Sequence, residues 1–335
     1  MRKKISNKII LFFLIIILTG CSTLRKERKI QYSDTKIPAP AFDTSISGHT
    51  YGEHFLPDKK EKTSANNYNT TGESPLTQHL ENEFVDLGKW DENKLNELIS
   101  MASKINEIDK RIDFLSAQFL DTQYKGSTLI GDINIPEIFV IRFDGVDCFT
   151  YLDYIEAMRR SISYNDFKEN LKKVRYQNAI IAYDKRNHFF TDWKEFNPEY
   201  IEDVTLLLGR EKTKQVVKIL NLKNDSTFLL PGIIPKKRII DYIPSSQIDN
   251  SVINEIKTGD YAGIYTDDDG LDVSHVGLLI KRENNIILRH STIAKKFQKV
   301  VDIDFIEYIS KRPGFIILRP VNFRPVNKKM DNAIN

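Results

Sequence analysis

Four β-rich runs crowd the last third of this chain: "GDYAGIYT", "SHVGLLIK", "NIILRHST" and "GFIILRP". Short runs of this kind, rich in Ile, Val and Tyr and bounded by Gly, Asp and Asn, read as strands. Well ahead of them, "WDENKLNELISMASKINEIDKRIDFLSAQFL" sets Leu95, Leu98, Ile99, Met101, Ala102 and Ile105 at helical spacing behind a candidate cap, Asp91. Helices first and an antiparallel sheet afterwards predict an α+β domain. The run "EIFVIRF" (137–143) adds a strand, and a second helical region is expected from Cys148 to about Lys172. Residues 174–245 read as aromatic-rich and loop-rich, broken at "LPGIIP".

The front of the chain is of a different kind. "MRKKISNKIILFFLIIILTGC" has a basic start, an apolar stretch from Ile9 to Leu18, and small residues at its end. Such a stretch is too short to cross roughly 30 Å of hydrocarbon, so it reads as an export signal. Leu18-Thr19-Gly20-Cys21 resembles a bacterial lipobox, which implies cleavage before Cys21, lipidation of Cys21 and attachment to a membrane surface. Residues 1–20 are then a lipoprotein signal peptide. Residues 21–82 are a flexible tether, too polar to repay the entropy of ordering. A catalytic domain over 83–325 and a tail over 326–335 complete the expected organisation. The periplasmic face of an outer membrane is the favoured location, because Ser22 offers no acidic retention residue.

With 41% hydrophobic residues the domain can bury a substantial core. The formal charge of +3, from 49 basic against 46 acidic residues, is too balanced for a dedicated nucleic-acid binder.

Cys21 being accounted for, Cys148 is the one remaining cysteine, without a disulfide partner. It follows a turn-like Asp144-Gly145 and precedes Phe149, Leu152, Ile155 and Met158 at helical spacing, so it is expected to open a helix. Free N–H groups and the positive end of the helix dipole favour a thiolate there and are expected to lower its pKa. Further on, "DVSHVGLLIKRENNIILRHST" forms a predicted hairpin turning at Glu283-Asn284-Asn285, with His275 and His290 at its outer ends. A helix-start thiol and two histidines brought together by a hairpin are the parts of thiol catalysis: nucleophile, base and orienting group. The loop "TDDDGLD" (266–272) lacks the remaining positions of an EF-hand and reads as a turn between strands.

"VDCFTYLDYIEAM" resembles the nucleophile helix, and "GDYAGIYTDDDGLDVSHVGLLI" with "LRHST" the histidine strands, of the N-acetylmuramoyl-L-alanine amidase-like family within the NlpC-type, papain-like cysteine peptidases. The likeness runs through "FLDTQYKGSTL", "RNHFFTDW" and "GFIILRP". It implies a papain-like (NlpC-type) fold, with N-terminal helices and a nucleophile helix packed on an antiparallel sheet. It implies Cys148 as nucleophile, His275 as general base and His290 as the orienting residue. The 15-residue separation of the histidines calls for a hairpin bulge to set the phase, with Ser291 or Asp272 as substitutes for His290. Asp147 is implied to receive a substrate amine, and Tyr124, Arg186, His188, Trp193 and Ser274 to line the substrate cleft. Phe149 stands where relatives carry a small hydroxyl residue, leaving Thr150 as the nearest hydroxyl. No cofactor and no metal are expected. The partners implied are peptidoglycan or muropeptides, and a membrane through the N-terminal lipid. Two amide bonds compete as the target: muramoyl to L-alanine, and D-glutamyl to diamino acid. A zinc amidase using Cys148, His275 and His290 as ligands, and an inactive wall-binding lipoprotein, are the other readings.

Overall fold

The computed structural model describes residues 83–283 and 285–321. The signal, the tether, Cys21, the 326–335 tail and Asn284 lie outside the described residues. No helix among the described residues is long and apolar enough to cross a membrane.

A parallel pair comes first, β1 (Glu83–Asp86) against β2 (Phe139–Arg142), with Glu83 opposite Phe139. Between them lie α1 (Glu92–Ser103) and α2 (Ile108–Ala117). Asp91 caps α1 by accepting from the Lys94 N–H at 2.9 Å, as its spacing suggested. Two helices follow, α3 (Cys148–Arg159) and α4 (Tyr164–Arg175), where the sequence reading had one helical region. Ser163 explains the break: it adopts an extended conformation and its hydroxyl accepts from Asp166 N at 3.2 Å, starting a new helix.

The remaining elements are α5 (Phe190–Phe196), β3 (Ile201–Asp203), α6 (Thr205–Gly209), β4 (Lys214–Leu220), β5 (Lys236–Pro244), α7 (Asn250–Glu255), β6 (Tyr261–Tyr265), β7 (Val273–Lys281), β8 (Ile286–Thr292), β9 (Lys299–Asp304), α8 (Phe305–Ile309) and β10 (Gly314–Pro320). Among the described residues they form an eight-stranded sheet of order β4-β5-β10-β6-β7-β8-β9, with β3 also pairing β10. Its pairings are antiparallel, so the α+β expectation holds. The four β-rich runs became β6, β7, β8 and β10.

The β4-β5 hairpin arose in the region read as loops. Its sequence KQVVKIL leaves Val217 and Ile219 exposed, so lysines interrupt the apolar signal of a strand with little core to face. The 266–272 loop joins β6 to β7, as read, and it receives a built-in cation. The Lys218 ammonium of β4 donates to the carbonyls of Thr266 (2.5 Å), Asp268 (2.8 Å) and Leu271 (3.0 Å).

The sheet carries a core on each face. One cluster packs α1–α4 residues Leu98, Ile112, Tyr151 and Phe167 with Val276 and Leu278 of β7. The other packs Leu279 and Leu288 with Ile264, Phe305 and Ile317. Alternate residues of β7 therefore serve opposite cores, as the pleat requires.

Helix α3 is buried from Thr150 to Arg159, its charged residues included. Glu156 accepts from Arg159 Nε and Nη2, both at 2.6 Å, and from the Tyr261 hydroxyl of β6 at 2.6 Å. Asp153 accepts from Arg175 Nε of α4 at 2.9 Å, and Arg175 Nη1 reaches the Val140 carbonyl of β2 at 2.6 Å. Buried charges held by several partners fix the helix against both its neighbours and the sheet.

Candidate functional site

The turn before α3 explains how Cys148 is presented. Asp147 is the N-cap: its Oδ1 accepts from Phe149 N (2.9 Å), Thr150 N (2.7 Å) and Thr150 Oγ1 (2.9 Å), while Asp147 N donates back to Thr150 Oγ1 (3.1 Å). This capping box starts the helix at Cys148, and Thr128 Oγ1 ties the second carboxylate oxygen at 3.1 Å. Both oxygens of Asp147 therefore have structural partners. Asp147 thus caps the helix, and Thr150 is likewise held in the box.

The cap also corrects the expectation of a spontaneously ionised thiol. Burial pushes the Cys148 thiol up to about 12, and the Asp147 carboxylate adds in the same direction. The N–H groups of Val276, Cys148 and Phe149 pull it back down. Partial solvent contact at the thiol softens the burial penalty. A carboxylate that caps a helix cancels much of the positive end that a thiolate would use. The thiol therefore needs a neighbouring base to lose its proton.

Two imidazoles lie on the neighbouring strands β7 and β8. The backbone of Val276, the residue following His275 on β7, favours the Cys148 thiolate, so the thiol lies beside this strand. His275 Nε2 lies 2.6 Å from His290 Nδ1, the rings edge to face with centroids 4.9 Å apart. No bulge in the β7-β8 hairpin is needed for this. The pairing runs unbroken from Lys281 opposite Ile286 to Leu278 opposite Arg289. Continuing that register sets His290 beside Gly277, on the same face as His275. The irregularity in β7 lies on its other side, facing Ile264 and Tyr265 of β6.

Gly277 makes the contact possible. A Cβ there meets His290 Cβ at 3.0 Å and Leu288 Cδ1 at 2.6 Å, so a side chain at 277 displaces the imidazole. Burial lowers the pKa of His290 to about 4, leaving it neutral at pH 7. Its Nε2 is buried without a partner among the described residues. The substitutes named for His290 are engaged elsewhere. Ser291 donates to the Val146 carbonyl at 2.7 Å, and Asp272 accepts from Thr191 N (2.7 Å), Thr191 Oγ1 (2.8 Å) and Val273 N (2.8 Å).

Tyr124 joins this centre. A parallel bridge to Val146 sets it beside the capping turn, and its hydroxyl interacts electrostatically with Cys148 and Asp147, which with burial drives its pKa upward. Ser274 is exposed, one residue from His275, with its hydroxyl 3.4 Å from the Ile264 carbonyl. The other cleft expectations are corrected. Trp193 is fully buried, against Phe149 (6.0 Å between centroids) and Tyr261 (4.9 Å), so it supports the nucleophile helix from within the core. Arg186 is paired with Glu137, which also accepts from Tyr176 at 2.7 Å. His188 holds the Tyr183 carbonyl at 2.8 Å, and burial lowers its pKa to about 4. Arg186 ties the 176–188 segment to the 131–137 loop, and His188 holds that segment to itself.

Tyr308 of α8 was missed by the sequence reading. Its ring lies 5.7 Å from that of His290 and 6.3 Å from that of His275, and it interacts electrostatically with Cys148. Nothing in "DFIEYISKR" signals this, because the proximity is created by the chain's return after β9. Among the described residues, no group of three His, Cys, Asp or Glu side chains is arranged to hold a metal ion.

A helix-start thiol and a hydrogen-bonded pair of imidazoles on adjacent strands define a site with the parts for acyl transfer, on an α+β scaffold. The N-acetylmuramoyl-L-alanine amidase-like (AmiA-like) family model matches residues 114–315, and the chain belongs to that family. The fold is similar to that of a protein from Legionella pneumophila str. Philadelphia 1, with a TM-score of 0.60 and 24% identity, covering 70% of this chain and 96% of that one. Two crystal structures of an N-acetylmuramoyl-L-alanine amidase from Bacteroides uniformis ATCC 8492 are also similar. One has a TM-score of 0.54 and 24% identity, covering 64% of this chain and 99% of that one. The other has a TM-score of 0.53 and 26% identity, covering 64% and 98%. Comparison with curated protein sequences gives no match.

Proposed function

We propose that the protein is a cysteine-dependent cell-wall amidase that cuts the bond between muramic acid and L-alanine in peptidoglycan or muropeptides, on a papain-like scaffold of NlpC type. One observation carries this reading: the imidazoles of His275 on β7 and His290 on β8 meet at 2.6 Å, beside the strand residue Val276 whose backbone favours the Cys148 thiolate. In the productive tautomer His275 donates from Nε2 to His290, leaving Nδ1 to take the thiol proton. Sulfur then attacks the amide carbonyl. The C–N bond breaks as His275 returns the proton to the departing nitrogen, and a thioester remains. Water, deprotonated by His275, attacks that thioester; the acid leaves and the thiol is restored. The N–H of Cys148 at the helix start, with the Tyr124 hydroxyl, supplies donors for the oxyanion. Similarity to the Bacteroides uniformis amidase supports the choice of bond. The stem-peptide alternative would use Asp147 for an amine contact, and the capping bonds of that carboxylate favour the amidase reading over it.

Lipidation of Cys21, with the domain held at the periplasmic face of an outer membrane, belongs to the same proposal. It rests on the lipobox-like Leu18-Thr19-Gly20-Cys21. The test is digestion of defined muropeptides by the purified protein and its Cys148→Ala variant, with products read by mass spectrometry. Intact stem peptide released by the wild type alone establishes the amidase. A muramoyl dipeptide product replaces it with a stem peptidase, and no turnover by either form leaves a wall-binding protein.

A further inference from the structure

Around Tyr308 the surface dips into a recess of about 240 Å³. Phe297, Ile303 and Tyr308 form apolar parts of its lining, and Lys296 and Arg312 bring positive charge. Tyr308 is the shared wall: the same ring that lines the recess stands 5.7 Å from that of His290 and 6.3 Å from that of His275. Tyr308 is therefore common to the recess and to the surroundings of the histidine pair.

Its charges are not equally available. Asp304 caps α8 by accepting from Glu307 N at 2.7 Å, and Glu307 pairs with Lys311 at 3.0 Å. Arg312 stacks over Tyr308, 5.1 Å from the ring centroid, and Lys296 over Phe297 at 5.0 Å. The ion pairs among the described residues include neither Arg312 nor Lys296. Two exposed cations held on aromatic rings at the recess, neither in an ion pair with a described carboxylate, suit an incoming carboxylate.

The direction of the chemistry says which part of a substrate arrives there. His275 delivers its proton to the leaving nitrogen, so groups attached to that nitrogen lie on the histidine side of the thiol. We propose that the Tyr308-Arg312-Lys296 recess is the leaving-side subsite of the amidase, and that it takes a carboxylate carried by the stem peptide just beyond the scissile amide. This rests on the amidase reading above. In that substrate the leaving residue is followed by a glutamyl residue whose α-carboxylate is either free or amidated, and the recess distinguishes the two.

The test separates binding from cleavage. Affinities of full-length Cys148→Ala protein are measured by calorimetry for two muropeptides that differ only in that α-group, free acid or carboxamide. The measurement is repeated with Arg312→Gln and Lys296→Gln added, singly and together. The expected result is about tenfold tighter binding of the acid at low salt, a preference that collapses toward one in the double variant and weakens with salt. Equal affinities in the parent, or a preference that survives both substitutions, overturns the subsite whether or not cleavage occurs. In the Cys148 protein, a KM that follows the same preference supports the assignment. Stem release from both substrates with equal KM overturns it while leaving the amidase standing. Absence of any cleavage counts against the amidase, and the binding ratio still decides the recess.

Discussion

His290 Nδ1 stands 2.6 Å from His275 Nε2, and its other nitrogen is buried with no partner among the described residues. A buried imidazole that holds a single hydrogen bond is costly unless that bond does something. In the proposed mechanism it orients His275. Replacing His275 with Ala is expected to lower kcat by about 10²- to 10⁴-fold, the usual worth of a general base. His290→Asn keeps a polar side chain at the site and is expected to lose less. Steady-state kinetics on a muropeptide checks both, and an unchanged kcat in His275→Ala contradicts the assignment.

The same burial predicts a pH dependence of stability. The pKa of His290 is about 4 in the folded protein against 6.5 for the free group. The unfolded chain therefore binds its proton first as the pH falls. The contribution is fully present above about pH 6.5 and is lost progressively toward pH 4, by roughly 3 kcal/mol. Urea midpoints measured across that window should fall more steeply for the wild type than for His290→Asn. Parallel slopes contradict a neutral, buried His290.

Asp147 opposes ionisation of the thiol next to it. Asp147→Asn removes that charge while its side-chain oxygen can still accept from Phe149 N and Thr150 N. The thiol pKa should fall, so alkylation of Cys148 at neutral pH should become several-fold faster. Rates with a neutral alkylating agent, followed against pH, test this. A profile moved to higher pH contradicts the electrostatic role.

Gly277 is needed for the space it leaves. Gly277→Ala forces its new methyl against the Cβ of His290 and the Leu288 side chain, at an expected cost of about 1–3 kcal/mol for overpacking. Activity should fall further than stability accounts for, because the displaced group is the imidazole. A variant that loses stability but keeps kcat contradicts this.

Breaking the charge network behind the nucleophile helix should cost about 3–5 kcal/mol, since Glu156→Ala leaves Arg159 buried without its carboxylate. Chemical denaturation measures it directly.

How much of this was legible depended on how local each signal was. Asp91, the start of α3 at Cys148 and the strands β6, β7, β8 and β10 are set by short-range caps and apolar runs, and they read correctly. The burial of Asp153, Glu156 and Arg159 did not show, because charged residues at helical spacing look the same on a solvated face as in a paired interior. Arg186 and Trp193 were placed in the cleft on resemblance alone; their commitment to Glu137 and to the core arises from contacts across 49 residues and more. Asp147 was noticed for its charge, while the capping box that occupies it was written in the Asp-x-x-Thr spacing. Tyr308 enters only through tertiary return of the chain.

Nucleophilic catalysis by Cys148 is tested most directly by trapping the intermediate. Rapid acid quench of the wild-type protein during muropeptide turnover, followed by proteolysis and mass analysis of the peptide 143–159, reads the mass added at Cys148. The account predicts a thioester carrying the muramoyl group alone, absent in Cys148→Ala. Product formation at full rate with no adduct on that peptide at any quench time, or stem release by Cys148→Ala, contradicts it.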